Sequence, residues 1–116
     1  MPMTSLDEAL AQAFARFIAK RPKTAALQAR AEAVMPGGNT RTVLHTSPFP
    51  IRAARAQGNR ITDIDGHSYL DLLGEYSAGI YGHSHPDIRA AVADALAGGL
   101  NYGAPHESEV AFAETV

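Results

Sequence analysis

The sequence predicts an α/β fold in which helices precede and follow a small antiparallel sheet of three strands. Two observations support this prediction. Apolar residues recur at three- and four-residue spacing near both ends of the chain, which is typical of amphipathic helices. Between these regions, three short segments are separated by turn residues, at Gln57-Gly58-Asn59 and Asp65-Gly66-His67, and Asp-Gly is a strong hairpin signal.

The N-terminal region predicts two helices. Ser5 followed by Glu8 has the form of a capping box, so we expect the first helix to cover about residues 6–20. A second, alanine-rich helix is expected over about residues 24–34. Pro36-Gly37-Gly38 should close it, because proline cannot continue the hydrogen-bond ladder and glycine tolerates positive φ.

The middle of the chain predicts an irregular, extended connection over residues 41–50, followed by the sheet. The strands are expected over residues 51–56, 60–64 and 68–73. Three strands with one apolar face are about the minimum for a stable sheet, so we expect another element to cover that face.

The C-terminal third begins with a glycine-rich segment, residues 74–82, whose backbone is expected to approach another group closely. His85-Pro86-Asp87 predicts the start of a third helix, which Gly98-Gly99 should stop. A fourth helix is expected to open at Pro105 and to continue to Val116 without a cap, glycine or proline. We therefore expect the sequence to be a fragment of a longer protein.

The composition favours a soluble, cytoplasmic protein. The 116 residues are 46% hydrophobic and 19% charged, with a formal net charge of -2 and no cysteine. A chain without a basic surface is a poor partner for nucleic acid or anionic lipid. The absence of cysteine excludes disulfides and thiolate zinc sites, and there is no signal peptide and no apolar run of about 20 residues that could span a membrane.

Short motifs that could carry chemistry have simpler explanations. His83-Ser84-His85 lacks a third ligand in a metal-like register, and Leu72 stands where a calcium loop that begins at Asp63 would need a glutamate. Lys20 and Lys23 lie in a polar run, whereas a Schiff-base lysine needs a desolvated site. We therefore predict no metal site and no catalytic residue in this segment.

Taken together, the order of the motifs resembles the N-terminal region of the class III aminotransferases, which are pyridoxal-phosphate enzymes. The motifs are Met35-Pro36-Gly37-Gly38, the run of residues 61–71, Gly82-His83-Ser84-His85-Pro86 and Gly103-Ala104-Pro105. The resemblance implies the aspartate-aminotransferase-like fold, known as fold type I. It divides the chain into an N-terminal helical segment (1–36), a substrate-site loop (37–50), a small-domain sheet with a helix (51–100) and the start of the large cofactor-binding domain (101–116).

Within that family, residues 36–41 and 74–79 look most like the aromatic β-amino acid aminotransferases. The resemblance implies that Arg41 binds the substrate carboxylate, for which a planar guanidinium offers two parallel hydrogen bonds. The other implied substrate-pocket residues are Tyr76, Val43, Ser77 and Ala78. Glutamate-1-semialdehyde aminomutase is the near alternative, but where it has Gly-Ser-Trp-Gly this chain has Gly-Glu-Tyr-Ser at residues 74–77.

The implied activity is transfer of an amino group from a β-amino acid to a 2-keto acid such as 2-oxoglutarate, with pyridoxal phosphate as cofactor, in a homodimer. The cofactor-bearing lysine is expected beyond Val116, so the 116 residues alone are expected to be inactive. An alternative of another class is a non-enzymatic interaction module whose apolar helix faces dock on a partner.

Overall fold

The structure is a computed structural model and describes residues 5–116. It divides into two compact units, one that ends at His83 and one that begins at Ser84. Within the described residues, the first unit contains two α-helices and a sheet of three strands, and the second contains two α-helices. The elements of the first unit are α1 (Leu6–Ala19), α2 (Pro22–Glu32), β1 (Ala53–Gln57), β2 (Arg60–Asp63) and β3 (Ser68–Leu70).

The predicted capping box at the start of α1 is confirmed. The backbone N–H of Glu8 donates to Ser5 Oγ at 3.2 Å, and the backbone N–H of Ser5 donates to Glu8 Oε2 at 3.0 Å. These bonds satisfy N–H groups that the first turn of a helix leaves without an intrahelical partner.

Helix α2 begins two residues before its predicted start, because its cap comes from a distant part of the chain. The carboxylate of Asp65, in the turn between β2 and β3, accepts hydrogen bonds from the backbone N–H groups of Lys23 (2.8 Å) and Thr24 (3.0 Å). The hydroxyl of Thr24 donates to the same carboxylate at 2.6 Å. An acidic group at a helix N-terminus also interacts favourably with the helix dipole. This contact therefore attaches α2 to the sheet.

The sheet has the predicted antiparallel order β1-β2-β3. Gln57 pairs with Arg60, so β1 and β2 are joined by the two-residue turn Gly58-Asn59, and a register shift lies between Ala53 and Arg55. Each of the three strands is shorter than predicted, and β3 most of all, because the chain leaves the sheet after Leu70.

A polar network joins the helices to the sheet at the centre of the first unit. Tyr69 donates its hydroxyl hydrogen to Asp63 Oδ2 at 2.6 Å and accepts a hydrogen bond from Arg21 Nη2 at 2.7 Å. The Arg21 guanidinium lies over the ring of Phe17, 3.9 Å from its centroid, and that ring packs against Phe49 at 5.4 Å. The network allows the charged Asp63, which is 2% exposed, to be buried with hydrogen-bond partners.

Two short 3₁₀ turns precede the sheet, at Pro36–Gly38 and Thr42–Leu44. The second corrects the prediction that the whole of residues 41–50 is irregular. Arg52 holds the first turn near α2, since its Nη2 donates to Gly38 O at 2.9 Å and to Gln28 Oε1.

The second unit consists of α3 (Pro86–Gly98) and α4 (Glu107–Thr115). Helix α3 begins at its predicted proline and ends at Gly98, and the next residue, Gly99, caps it with a φ of 119°. Helix α4 begins two residues after the predicted Pro105, because His106 caps it by accepting a hydrogen bond from Ser108 N at 3.2 Å. In residues 5–116, no helix has the length and apolar character that crossing a membrane requires.

Candidate functional site

The first unit contains a cavity of about 370 Å³ that opens on one side of the sheet. Apolar side chains of β1 and β2 form part of its lining. The rest comes from the second 3₁₀ turn and from the chain that follows β3. The lining residues are Arg41, Leu44, Ala53, Ala56, Ile61, Asp71, Leu73, Glu75, Tyr76, Ala78 and His83.

Arg41 lies at this cavity, directly before the 3₁₀ turn that contains Leu44. The backbone of Arg41 is extended, and its carbonyl accepts a hydrogen bond from Leu44 N at 3.1 Å, which fixes the direction in which the chain enters the turn. Among residues 5–116, the Arg41 guanidinium forms no ion pair and no hydrogen bond to another side chain. Its five N–H donors are therefore available to an anion.

Arg41 also borders a second cavity of about 500 Å³. Besides Arg41, this cavity is lined by the Pro36–Gly37 turn, Asn39, Thr40, Thr42 and His45. Arg41 therefore lines two open spaces.

Tyr76 reaches the first cavity from an unusual backbone turn. Gly74, Glu75, Tyr76 and Ser77 all have positive φ, at 54°, 51°, 57° and 78°. Left-handed backbone costs an L-residue roughly 1–2 kcal/mol, so three such residues in succession need external support. Strained backbone of this kind is concentrated at functional sites in proteins.

Of the remaining predicted pocket residues, one lines the cavity and two do not. Ala78 lines the cavity with Arg41 and Tyr76. Val43, which is 58% exposed, and Ser77 are neighbours of lining residues in the chain but are not part of the lining. The structure thus brings three of the five predicted residues to one cavity.

Asp71 and His83 also line the cavity and were not predicted as site residues. His83 Nε2 lies 2.8 Å from Asp71 Oδ2. Asp71 Oδ1 accepts hydrogen bonds from the backbone N–H groups of Leu73 (2.9 Å) and Gly74 (3.1 Å). The sequence contained one signal of these bonds, because Asp71 precedes Leu73 by two residues and Gly74 by three, and aspartate commonly bonds the backbone at such a spacing.

These contacts keep Asp71 ionised. The hydrogen bond from Gly74 N, the contact with His83 and the hydrogen bond from Leu73 N together lower the pKa of Asp71, against a smaller opposing effect of burial. An ionised carboxylate only accepts hydrogen bonds, so His83 Nε2 must carry the hydrogen in this contact. The Asp71 carboxylate therefore already has hydrogen-bond donors and does not compete with a ligand for the Arg41 guanidinium.

The cavity can bind a molecule that has a carboxylate and an apolar body. Arg41 supplies a cation without an internal partner, and the alanines, leucines and Ile61 of the lining supply apolar surface. A guanidinium binds a carboxylate through two parallel charge-assisted hydrogen bonds. Glu75 adds one carboxylate to the same lining.

Comparison with known proteins identifies the family. The family model named aminotransferase class-III matches residues 43–115, which is more than half of the chain. The chain belongs to the class-III aminotransferases. The match includes Tyr76 and its turn, and it begins two residues after Arg41.

Named relatives of this class-III aminotransferase chain agree with the resemblance seen in the sequence. β-Phenylalanine transaminase of Variovorax paradoxus is 45% identical over 101 residues, which cover 87% of this chain and 23% of that protein. Glutamate-1-semialdehyde 2,1-aminomutase of Sorangium cellulosum is 44% identical over 100 residues, which cover 84% of this chain and 23% of that protein. The chain therefore spans about a quarter of the length of the curated relatives it matches.

The solved structures agree as well. The crystal structure of the β-phenylalanine aminotransferase from Variovorax paradoxus matches with a TM-score of 0.84 and 43% identity, over 88% of this chain and 24% of that one. This likeness confirms the predicted fold type I architecture of this class-III aminotransferase chain.

The family's cofactor, pyridoxal phosphate, forms a Schiff base with a lysine amine. Lys20 and Lys23 are the lysines of the sequence, and they lie at the junction of α1 and α2, away from the cavity lining. The described residues of the cavity thus include no amine that could carry the cofactor. They offer the Arg41 guanidinium to a carboxylate instead.

Proposed function

We propose that this chain is the N-terminal part of a pyridoxal-phosphate aminotransferase that transfers an amino group from a β-amino acid to a 2-keto acid such as 2-oxoglutarate. The observation that carries the proposal is the position of Arg41, whose guanidinium has no partner among the described side chains and borders the same cavity as Tyr76. The similarity to a protein named β-phenylalanine transaminase supports the choice of amino donor.

In this proposal Arg41 binds and orients the carboxylate of the donor. The apolar lining accommodates the donor's side chain, and Tyr76 borders that space. Ala78 completes the lining, and Val43 and Ser77 belong to the proposed pocket as chain neighbours of lining residues. Holding a substrate in one orientation lowers the entropic part of the reaction barrier.

Pyridoxal phosphate, when bound, supplies the electron sink and carries the amino group between donor and acceptor. Its lysine attachment site is proposed to lie outside these 116 residues, and the chain by itself is proposed to be inactive. A homodimer in the cytoplasm is part of the proposal. Exposed apolar side chains on α1, such as Leu6 at 83% and Leu10 at 49%, support contact with further polypeptide.

The second candidate is an aminomutase, which the similarity to glutamate-1-semialdehyde 2,1-aminomutases supports. An aminomutase moves an amino group within one molecule and needs no keto-acid acceptor. The Gly-Glu-Tyr-Ser sequence of the left-handed turn favours the aminotransferase, since the aminomutase segment it resembles reads Gly-Ser-Trp-Gly. Membership of an enzyme family disfavours the non-enzymatic interaction module.

A single assay separates the two enzymes. The full-length protein that carries this chain is incubated with pyridoxal phosphate and β-phenylalanine, with and without 2-oxoglutarate, and glutamate formation is measured. A parallel incubation contains glutamate-1-semialdehyde and no acceptor, and its conversion is measured. The proposal predicts glutamate only when both substrates are present. Conversion of glutamate-1-semialdehyde without any acceptor, together with no reaction of β-phenylalanine, would establish the aminomutase instead.

A further inference from the structure

The chain that follows β3 forms a loop, residues 72–82, whose two ends are held together at a narrow neck. At one end, Asp71 N donates to Asn59 O at 2.8 Å. At the other end, His83 and Gly58 exchange two backbone hydrogen bonds, of 2.8 and 2.7 Å. Both ends of the loop are therefore attached to the turn between β1 and β2.

The side chains of Asp71 and His83 close the same neck. His83 Nε2 is 2.8 Å from Asp71 Oδ2, and the Asp71 side chain is only 9% exposed. Asp71 Oδ1 meanwhile binds the N–H groups of Leu73 and Gly74, where the loop begins. The Asp71 carboxylate thus connects His83, where the loop ends, to the first turn of the loop.

The two backbone segments that form the neck are closely packed. A Cβ atom at Gly82 would lie 2.7 Å from Gly58 O, so only glycine allows the approach of these two segments. Inside the loop, Gly79 N donates to Gly74 O at 2.9 Å and Gly82 N donates to Gly79 O at 2.8 Å. Compact loops with ends this close are commonly functional.

The loop carries the left-handed turn that contains Tyr76. Three non-glycine residues in that turn have positive φ, a conformation that persists only when surrounding contacts impose it. The hydrogen bonds of Asp71 Oδ1 act at the residue where the left-handed turn begins. Breaking them would let the turn relax and would move Tyr76 relative to Arg41.

We propose that Asp71 and His83 are positioning residues that hold the loop of residues 72–82 closed and thereby place Tyr76 in the cavity that binds the amino donor. The proposal rests on the proposed function, because it assigns the pair a role in donor binding. Neither residue needs to touch the donor for this role.

The test compares His83→Ala with His83→Gln in the full-length aminotransferase. A glutamine amide nitrogen can donate from about the position of His83 Nε2, so His83→Gln preserves the contact with Asp71 while it removes the imidazole. We expect His83→Ala to raise the KM for the amino donor about tenfold, with kcat changed by less than about threefold. We expect His83→Gln to remain within about threefold of the wild type in both constants.

Hydrogen–deuterium exchange of the peptide that covers residues 72–82 gives a readout independent of activity. His83→Ala should accelerate exchange of its amides about tenfold, and His83→Gln should not. The cofactor absorbance of each variant reports whether the enzyme is still assembled.

The outcomes separate this inference from the proposed function. A raised KM with unchanged exchange would overturn the positioning role and leave the proposed function standing. Faster exchange with an unchanged KM would overturn the link between the loop and donor binding, and would count against Tyr76 as a pocket residue. Equal defects in His83→Ala and His83→Gln would show that the imidazole itself, and not its contact with Asp71, is required.

Discussion

The hydroxyl of Tyr69, on β3, donates a hydrogen bond to the carboxylate of Asp63, on β2, at 2.6 Å. The same hydroxyl accepts a hydrogen bond from Arg21, which follows α1. Because Asp63 is almost completely buried, the stability of the first unit depends on this charge keeping its donors.

Tyr69→Phe should destabilise the protein while leaving its shape unchanged. The substitution removes one donor from a buried carboxylate, and a hydrogen bond to a charged group is worth about 1.5–3 kcal/mol. Urea denaturation followed by circular dichroism should show a loss of this size. Tyr102→Phe is the control, since the Tyr102 ring stacks on His106 at 4.6 Å and phenylalanine can keep that contact. Equal effects of the two changes would contradict the role given to Tyr69.

Stability in acid should depend on Asp63. Burial of the carboxylate alone would raise its pKa, but hydrogen bonds from Tyr69 and His67 outweigh this effect and lower the pKa of Asp63 from 3.8 to about 2. A pKa lowered on folding means that the stabilisation is present above pH 3.8 and is lost as the pH falls towards about 2. Denaturation midpoints between these pH values should fall more steeply for the wild type than for Asp63→Asn. Parallel profiles would contradict the assignment.

The capping of α2 by Asp65 can be tested at single amides. Asp65→Ala removes the acceptor for Lys23 N and Thr24 N, and loss of a helix N-cap costs about 0.5–2 kcal/mol. Hydrogen exchange at the first turn of α2 should accelerate by about tenfold, which corresponds to roughly 1.4 kcal/mol. Asp94→Ala, at an exposed position of α3, should leave that turn unchanged. Unchanged exchange in Asp65→Ala would mean that the helix start does not need this cap.

Substitution by glycine should have opposite effects on stability at Ser77, in the left-handed turn, and at Ser68, in β3. Ser77 has a φ of 78°, where glycine avoids a cost of roughly 1–2 kcal/mol that exceeds its own entropic cost of about 0.5–1 kcal/mol. Ser77→Gly should therefore stabilise the protein slightly, by about 0.5 kcal/mol. Ser68→Gly, in β3, should destabilise it, because that residue needs no positive φ. Thermal denaturation measures both, and destabilisation by Ser77→Gly would argue against a left-handed Ser77.

The sequence predicted those parts of the fold that depend on neighbouring residues. The capping box of α1, the proline that begins α3 and the glycine that ends it act within a few positions, and the structure confirms them. The start of α2 was misplaced because its cap, Asp65, lies 41 residues from Thr24. A contact at that separation leaves no periodic signal.

In the candidate site, too, contacts between residues distant in the sequence were not predicted. Arg41 and Tyr76 were singled out because residues around them resemble a family, and their role in binding stays a prediction. The Asp71–His83 contact was not predicted, since the two residues are twelve positions apart and no periodic pattern in the sequence indicates that the intervening loop brings them together.

The central claim is that Arg41 binds the carboxylate of the amino donor, and steady-state kinetics of Arg41→Ala test it most directly. In the full-length enzyme with pyridoxal phosphate, Arg55→Ala serves as control, because Arg55 lies on β1 outside the cavity lining. Loss of a charge-assisted pair of hydrogen bonds should lower kcat/KM for β-phenylalanine about 100-fold, roughly 3 kcal/mol, with the cofactor absorbance unchanged. An Arg41→Ala enzyme with the kcat/KM of the wild type would contradict the account.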